Sequence, residues 1–351
     1  MSDNRQWARE AIRIIEADFQ RSADTHLIAL PLPGWAAHGI DLYLKDESTH
    51  PTGSLKHRLA RSLFLYALCN GRLGEGQGAI DASSGSTAIS EAWFARLLGL
   101  RFQAVMPDCT APAKVRLIRS LGAECVLLPP GLDASDVARD RAAAEGLCYL
   151  DQFGLAERAT DWRGNNNIAQ SMFEQMAHER HPVPAWIVVG AGTGGTSATI
   201  GRYLRYQRHA TQLCVADPEG SVFAAYHAER DTALTAPGSR IEGIGRPRVE
   251  PSFIPSLVER MEVVSNLESV AAMHALGGLL GRRVGPSTGT NFVAMLRLAN
   301  EMRAAQTPGS VLSLLCDAGE RYEKTYHDAT WVKAQFGDVT PARHHLATLM
   351  G

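Results

Sequence analysis

The stretch Trp186-Ile-Val-Val-Gly-Ala-Gly-Thr-Gly-Gly-Thr196 joins an apolar β-like run to a glycine-rich turn, and a helical pattern follows it. Glycines let the backbone approach a bound oxyanion closely, and the N-terminus of the following helix faces the negative charge. The stretch therefore predicts a strand, a phosphate-binding loop and a helix, in that order, which together form a unit of an α/β fold.

Short β-rich runs alternate with longer helical patterns along the rest of the chain. Strands alternating with helices indicate an α/β architecture with parallel sheets. The chain has 351 residues, enough for two domains, and a polar run at 156–167 predicts a crossover between them. The predicted strands are 41–45, 79–82, 102–106, 125–128, 186–189, 213–216 and 311–315, and the predicted helices are 3–19, 55–69, 87–98, 113–121 and 168–178.

The composition is typical of a soluble globular protein, with 45% hydrophobic and 21% charged residues. The 35 Lys and Arg residues nearly balance the 37 Asp and Glu residues, which predicts neither a nucleic acid nor a membrane as partner. The first residues lack the basic and then apolar pattern of a signal peptide, so we expect a cytoplasmic protein. The six cysteines are scattered, and none pairs with a histidine at metal-ligand spacing, so we expect no metal site and no disulfide framework.

A lysine stands near the start of a predicted helix in Pro51-Thr-Gly-Ser-Leu-Lys-His-Arg58. Ser54 is a typical N-cap residue, which would place Lys56 in the first turn of that helix. The positive end of a helix disfavours an ammonium group and so favours the neutral, nucleophilic amine. Schiff-base formation with a carbonyl compound requires such an amine.

A second loop of glycine and hydroxyl residues, Ser83-Ser-Gly-Ser-Thr87, lies between a predicted strand and a predicted helix. Its backbone N–H groups and hydroxyls can form an anion-binding nest. A plain strand-to-helix turn capped by Ser86 or Thr87 explains the same residues equally well. The sequence leaves both interpretations open.

One amine able to form an imine and two loops rich in hydrogen-bond donors are the groups that a chain needs to bind pyridoxal phosphate. The glycines at 190, 192 and 195 also fit the dinucleotide fingerprint, and Asp217 follows about twenty residues later, at the end of the next β-like run. A nicotinamide-dependent oxidoreductase is therefore an alternative of another class, although it leaves Lys56 and the 83–87 loop without a role.

Taken together, these segments resemble the fold-type-II pyridoxal-phosphate enzymes, and within them the cysteine synthase and cystathionine β-synthase family. The resemblance runs through nearly the whole chain, and the motifs occur in the family's order. It implies the tryptophan synthase β-like fold, with two α/β domains and the cofactor in the cleft between them. Residues 1–47 and 161–351 would form a larger domain that binds the cofactor's phosphate, and residues 48–160 a smaller, mobile domain that binds the substrate carboxylate. The family also implies a homodimer.

The resemblance implies a role for each matched residue. Lys56 is the Schiff-base residue and the general base that removes the Cα proton. Asp317, in Cys316-Asp-Ala-Gly-Glu-Arg-Tyr322, lies at the pyridine nitrogen, and Glu242-Gly-Ile-Gly245 lies at the cofactor face. The phosphate-binding residues are Gly192, Thr193, Gly194, Gly195 and Thr196, and the substrate-carboxylate residues are Ser83, Ser84, Gly85, Thr87 and Gln152.

Two residues depart from the family pattern. Ser86 stands where sulfhydrylases usually have an asparagine, at the position that reaches toward the cofactor's ring oxygen. Asp317 stands where a serine is typical, and a carboxylate there would favour protonation of the ring nitrogen and make the ring a stronger electron sink. The alternative is that Asp317 points to solvent and that Cys316 or Ser313 lines the ring.

The stretches 43–70 and 156–168 resemble a bacterial subgroup of cysteine desulfhydrases. The implied activity is that of a carbon–sulfur lyase of cysteine metabolism, a β-elimination on L-cysteine that gives hydrogen sulfide, pyruvate and ammonia. The alternative is a cysteine synthase-type β-replacement on O-acetylserine or a related β-substituted serine, which is a transferase reaction. The motifs do not separate these two reactions, because the outcome depends on how well the closed site excludes water. In both cases the partner is a small amino-acid substrate.

Overall fold

The computed structural model describes residues 2–21 and 24–351. Three short 3-10 helices span Glu47–Thr49, Pro255–Leu257 and Gly319–Tyr322. The strands are β1 (His26–Ala29), β2 (Ile40–Asp46), β3 (Ala79–Ala82), β4 (Phe102–Pro107), β5 (Glu124–Leu128), β6 (Cys148–Tyr149), β7 (Trp186–Gly190), β8 (Gln212–Pro218), β9 (Arg260–Val264) and β10 (Gly309–Leu315). The helices are α1 (Ser2–Arg21), α2 (Pro33–Ala37), α3 (Lys56–Cys69), α4 (Ser86–Leu97), α5 (Pro112–Ser120), α6 (Ala134–Glu145), α7 (Gln152–Ala159), α8 (Ile168–Met176), α9 (Gly195–Gln207), α10 (Phe223–Glu229), α11 (Asn266–Leu280), α12 (Pro286–Ala304), α13 (Ala329–Phe336) and α14 (Thr340–Met350).

The chain forms two compact units, each with its own sheet. The first unit consists of Met1–Asp24 and Leu55–Asp161, and its four strands lie in the order β5-β4-β3-β6, all parallel. The second unit consists of Thr25–Ser54 and Trp162–Gly351, and its six strands lie in the order β1-β2-β10-β7-β8-β9. Among the described strands of this sheet, only the pair of β1 and β2 is antiparallel. The predicted α/β architecture is confirmed.

In the first unit, α1 packs against α3 and α4. Ala11 and Ile15 of α1 belong to the same buried core as Phe64 of α3 and Phe94 of α4. For this reason the N-terminal helix belongs to the same compact unit as residues 55–161. The sequence instead assigns residues 1–47 to one domain with residues 161–351. The assignment of a cofactor-binding and a substrate-binding domain stays a prediction.

In the second unit, β10 lies in the interior of the sheet, and all its residues are buried. Helix α12 packs on β10, and most of its residues are buried as well. A strand covered on both faces has a nearly continuous apolar sequence, which is the pattern of 311–315. This burial holds the C-terminal end of β10, and hence Cys316 and Asp317, in a fixed place.

The seven predicted strands are all present, and the sequence analysis missed three further strands. β6 has two residues, and β1 and β9 are partly exposed edge strands, so none of the three gives a long apolar run. The prediction that Ser54 caps α3 is wrong, because the residue before the helix is Leu55 and Ser54 forms an isolated antiparallel bridge with Asp317.

Within residues 2–21 and 24–351, no helix combines the length and the apolar character needed to cross a membrane. The same described ranges contain no group of three or more His, Cys, Asp or Glu side chains placed to hold a metal ion. The six cysteines are all free thiols.

Candidate functional site

The glycine-rich loop lies between β7 and α9 in the second unit. Gly194, at the N-cap of α9, has a φ of +90°, a conformation that favours glycine. The N–H groups in the first turn of a helix have no intrahelical acceptor, so the start of α9 presents donors to the loop. The loop is tied to a second glycine-rich segment, because the N–H of Gly245 donates to the carbonyl oxygen of Ala191 with an N–O distance of 2.7 Å.

Two glycines of this loop approach other backbone segments so closely that a side chain does not fit. A Cβ atom on Gly192 would overlap the carbonyl oxygen of Gly243. A Cβ atom on Gly194 would lie 2.5 Å from the backbone nitrogen of Phe253. The loop is therefore a cradle of backbone at a helix N-terminus, which is an arrangement that binds phosphate.

Asp217, the acid required by the nicotinamide alternative, is buried at the end of β8. Its Oδ2 atom accepts from the backbone N–H of Ala224 at 2.8 Å, and its Oδ1 atom has no hydrogen-bond partner among the described residues. Burial raises the pKa of this carboxyl to about 6. A carboxylate enclosed in this way is not available to a ribose hydroxyl.

Asp317 is the second residue after β10 and is buried. The hydroxyl of Tyr322 donates to its Oδ2 atom at 2.5 Å. Its Oδ1 atom lies so close to Gly285 that a Cβ atom there would overlap it. Asp317 therefore does not point to solvent, and Ser313 is occupied elsewhere, since its hydroxyl donates to the carbonyl oxygen of Val188 at 2.7 Å. A contact of Asp317 with a pyridine nitrogen stays a prediction.

In the first unit, Lys56 is the first residue of α3 and is partly exposed. The prediction that it lies in the first helical turn is confirmed. The next residue, His57, is buried, and its ring centroid lies 4.8 Å from that of Phe94 on α4. Glu91 of α4 is fully buried, and the positive charge of Lys56 acts on it.

The 83–87 loop joins β3 to α4. The Oγ atom of Ser83 accepts from the N–H of Ala88 at 3.1 Å, so this hydroxyl satisfies a donor in the first turn of α4. Helix α4 begins at Ser86, and the proposed caps Ser86 and Thr87 are both inside it. The interpretation that Ser86 or Thr87 caps this helix is therefore wrong: the N-cap residue is Gly85, and the hydroxyl of Ser83 binds the first turn instead. A helix N-terminus beside hydroxyl groups remains suited to a carboxylate.

Gln152 begins α7 and is held against the end of β3. Its backbone N–H donates to Oδ2 of Asp81 at 3.1 Å, and its side-chain Nε2 donates to the carbonyl oxygen of Ala82 at 2.7 Å. Asp151, the residue before it, has a φ of +55° and accepts from the N–H of Gly154. These contacts fix Gln152 beside the strand that leads into the 83–87 loop.

The predicted site residues fall into two sets, one in each unit, and within each set they lie at the ends of strands or the starts of helices. Both places suit ligands in α/β folds, because loops after parallel strands and helix N-termini carry free donors. The first unit contains Lys56, Ser83, Ser84, Gly85, Ser86, Thr87 and Gln152, and the second contains Gly192, Thr193, Gly194, Gly195, Thr196 and Asp317.

Three functional candidates escaped the sequence analysis. Asp81 and Glu91 are acids within otherwise apolar stretches, Ala-Ile-Asp-Ala and Ala-Ile-Ser-Glu-Ala-Trp-Phe. That contrast is a usable signal, because a charged residue in a buried strand or helix needs a partner. Tyr322 gave no such signal, since only the fold brings its hydroxyl to Asp317.

Comparison with known proteins gives consistent matches over most of the chain. The family model described as "Pyridoxal-phosphate dependent enzyme" matches residues 20–317. L-cysteine desulfhydrase Cds1 of Mycobacterium tuberculosis is 58% identical over 335 residues, which cover 95% of this chain and 91% of that protein. A cysteine synthase of Dictyostelium discoideum is 28% identical over 312 residues, covering 84% and 80%. The crystal structure of O-ureido-L-serine synthase has a TM-score of 0.75 at 25% identity, covering 92% of this chain and 96% of that one.

Proposed function

Since this chain belongs to the family of pyridoxal-phosphate dependent enzymes, we propose that it is a carbon–sulfur lyase that converts L-cysteine to hydrogen sulfide, pyruvate and ammonia. The observation that carries the proposal is the 58% identity, over 95% of the chain, with a protein named L-cysteine desulfhydrase. The nicotinamide-dependent alternative is wrong, because the family uses pyridoxal phosphate and because Asp217 is buried against Ala224.

When bound, pyridoxal phosphate supplies an aldehyde that bonds to amino groups and a ring that withdraws electrons from the Cα atom of an attached amino acid. We assign Lys56 to hold the cofactor through its amine and, once released, to take the Cα proton as general base. Its place as the first residue of α3 supports this role, because the positive end of the helix favours the neutral amine.

We assign the substrate carboxylate to the 83–87 loop and to Gln152. The start of α4 lies in this loop, and a helix N-terminus attracts a negative charge. The Oγ atom of Ser83 accepts from Ala88, so its O–H is left to donate to a carboxylate oxygen. Ser84 and Thr87 carry further N–H and hydroxyl groups at the same helix end, and the N–H of Gly85 points to Oγ of Ser83 at 3.4 Å.

We assign the phosphate of the cofactor to residues 192–196. The glycine-rich loop and the N-terminus of α9 suit a phosphate group, because the N–H groups in the first turn of the helix have no intrahelical acceptor. The clashes that a Cβ atom at Gly192 or Gly194 would make show that this loop is closely packed. Ser86 would face the ring oxygen, and Asp317, which accepts from Tyr322, would face the ring nitrogen. A carboxylate at that nitrogen would favour its protonation and would strengthen the electron sink.

The second candidate is a cysteine synthase-type β-replacement, which the 28% identical cysteine synthase of Dictyostelium discoideum favours. The two reactions are separated by incubating the purified enzyme with cysteine and, in parallel, with O-acetylserine plus sulfide. We expect pyruvate and sulfide in equal amounts from cysteine. Faster formation of cysteine from O-acetylserine and sulfide than of pyruvate from cysteine would overturn the lyase assignment in favour of the synthase.

The role of Lys56 has a direct test. Lys56→Ala should lose cysteine turnover by several orders of magnitude and should lose the covalent attachment of pyridoxal phosphate, which borohydride reduction and mass spectrometry detect. Lys333→Ala is the control, because Lys333 is exposed on α13. A Lys56→Ala protein that turns over cysteine at the wild-type rate would refute the mechanism.

We further propose that the protein acts in the cytoplasm as a homodimer. The homodimer is supported by the family resemblance. Light scattering coupled to size-exclusion chromatography, with a chain mass of 38.0 kDa, distinguishes a dimer from a monomer.

A further inference from the structure

Asp81 is the penultimate residue of β3, and its carboxylate is fully buried. One oxygen accepts from the backbone N–H of Ala82 at 2.8 Å, and the other accepts from the backbone N–H of Gln152 at 3.1 Å. Ala82 and Gln152 belong to different elements, the end of β3 and the start of α7. The carboxylate of Asp81 thus bridges two backbone segments that approach each other only in the folded chain.

The side chain of Gln152 also binds the end of β3. Its Nε2 atom donates to the carbonyl oxygen of Ala82 at 2.7 Å. A glutamine amide group carries two N–H donors, so one of them is used by Ala82 and the other is left for a ligand. The Asp81 carboxylate and the Ala82 carbonyl together fix both the position of the Gln152 backbone and the orientation of its amide.

A second buried carboxyl, that of Glu91, interacts with the carboxyl of Asp81. Glu91 of α4 is fully buried and interacts with Asp81. Burial raises the pKa of Glu91 well above its ordinary value, the negative charge of Asp81 raises it further, and Lys56 opposes the change. Burial also raises the pKa of Asp81, although its bonds to Glu91, Ala82 and Gln152 work against this. Two buried carboxyls that interact do not readily ionise together, so burial and the charge of Asp81 favour the protonated form of Glu91.

We propose that Asp81 is a positioning residue that aims the amide of Gln152 at the carboxylate of the amino-acid substrate. This inference rests on the proposed function, because it takes Gln152 as a contact of the substrate carboxylate. Asp81 itself touches no substrate and acts through Gln152.

The chemistry of the two groups explains why aspartate is needed at position 81. An ionised carboxylate accepts two N–H groups at once, one on each oxygen. An asparagine at this position has one acceptor oxygen and an NH2 group, which would face one of the two N–H donors and repel it. Hydrogen bonds to a charged group are stronger than those between neutral groups, so their loss releases Gln152 from its place.

The test compares the KM and kcat for cysteine of five variants with those of the wild type. Asp81→Asn should raise KM on the order of tenfold or more, while kcat changes less than threefold. Glu91→Gln removes a neighbouring acid while Asp81 keeps its bonds to Ala82 and Gln152, so its KM should rise less than that of Asp81→Asn. Asp133→Asn is the matched control: Asp133 also accepts from two backbone N–H groups, but at the start of α6. Its KM should stay within twofold of the wild type.

Gln152→Ala and the double variant Asp81→Asn, Gln152→Ala separate positioning from a general structural role. If Asp81 acts through Gln152, the double variant has the KM of Gln152→Ala alone. A further tenfold rise in the double variant, or an Asp81→Asn KM within twofold of the wild type, would overturn the proposal. Should Asp81→Asn not fold, Asp81→Glu keeps the charge but shifts it by one methylene, and its KM should rise at least fivefold.

The same measurements with O-acetylserine distinguish this inference from the proposed function. Cysteine and O-acetylserine carry the same α-carboxylate, so Asp81→Asn should raise the KM of whichever substrate the wild type uses. A wild type that uses O-acetylserine but not cysteine refutes the lyase and leaves the role of Asp81 measurable. A wild type that eliminates sulfide from cysteine, with KM unchanged in Asp81→Asn, supports the lyase and refutes the role of Asp81.

Discussion

Asp217→Asn is expected to stabilise the protein at neutral pH far more than at acidic pH. Asp217 is 1% exposed, its Oδ2 atom accepts from the N–H of Ala224, and its Oδ1 atom has no hydrogen-bond partner among the described residues. A hydrogen bond with the side chain of Ser221 works against the rise in its pKa. Burial raises its pKa from an ordinary value of 3.8 to about 6. Since one pKa unit corresponds to about 1.4 kcal/mol, ionisation of this carboxyl costs the folded state about 3 kcal/mol above pH 6.

The sign of the pH dependence follows from the direction of the shift. The folded state prefers the protonated form of a carboxyl whose pKa is raised. The contribution of Asp217 to stability is therefore complete below pH 3.8 and is lost as the pH rises through about 6. The asparagine side chain of the variant would be neutral at every pH and would keep a carbonyl oxygen for the N–H of Ala224. The free energy of unfolding of the variant should therefore exceed that of the wild type by about 0.5 kcal/mol at pH 4 and by up to about 3 kcal/mol at pH 7.5.

Urea unfolding followed by tryptophan fluorescence at pH 4, 5.5 and 7.5 measures this difference. Asp217→Ala is the companion variant, because it removes the charge and also the acceptor for Ala224. It should show the same change with pH and a constant loss of stability at all three values. A difference between wild type and Asp217→Asn that does not grow with pH would refute the argument that burial of the charge governs this carboxyl.

Two further predictions concern the residues assigned to the cofactor. Gly194→Ala places a Cβ atom 2.5 Å from the backbone nitrogen of Phe253 at a φ of +90°, so we expect a loss of about 2 kcal/mol or more in the free energy of unfolding and faster loss of pyridoxal phosphate during dialysis. Retention at the wild-type rate would contradict the cradle. Tyr322→Phe removes the hydroxyl that donates to Asp317, which should cost about 1–3 kcal/mol in urea unfolding and shift the visible absorption of the bound cofactor. Unchanged stability and absorption would show that this hydroxyl does not support Asp317.

The glycine loop was predictable because its determinants are local. An apolar run, then glycines, then a helical pattern within eleven residues requires a strand, a tight turn and a helix N-terminus wherever the segment lies in the fold. The start of α3 shows the opposite case. Ser54 has the chemistry of an N-cap, but its backbone pairs with Asp317, far away in sequence, and the helix begins two residues later. Tertiary contacts of this kind override local preference and leave no mark in the local sequence.

The grouping of the N-terminal helix has the same origin. The sequence predicts the amphipathic pattern of α1, because that pattern depends only on the spacing of its apolar residues. It does not say which core receives Ala11 and Ile15, since both sheets offer apolar surfaces. Their packing with Phe64 and Phe94 is decided by shape and by the path of the chain, which a single sequence does not reveal.

A comparison of Asp81 with Asp217 shows how a buried acid with a structural role differs from one with a functional role. Both are penultimate residues of parallel strands, both are buried, and both accept backbone N–H groups from a segment that follows a strand. Asp217 accepts from the N–H of Ala224 and interacts with the side chain of Ser221, and no second acid is among the causes of its pKa shift. Asp81 in addition interacts with a second buried carboxyl, that of Glu91. Burying this second acid costs free energy, and a carboxylate that only holds a loop in place does not need it. The extra acid is explained if the position of Gln152 must be held tightly, and that requirement is one of binding rather than of folding.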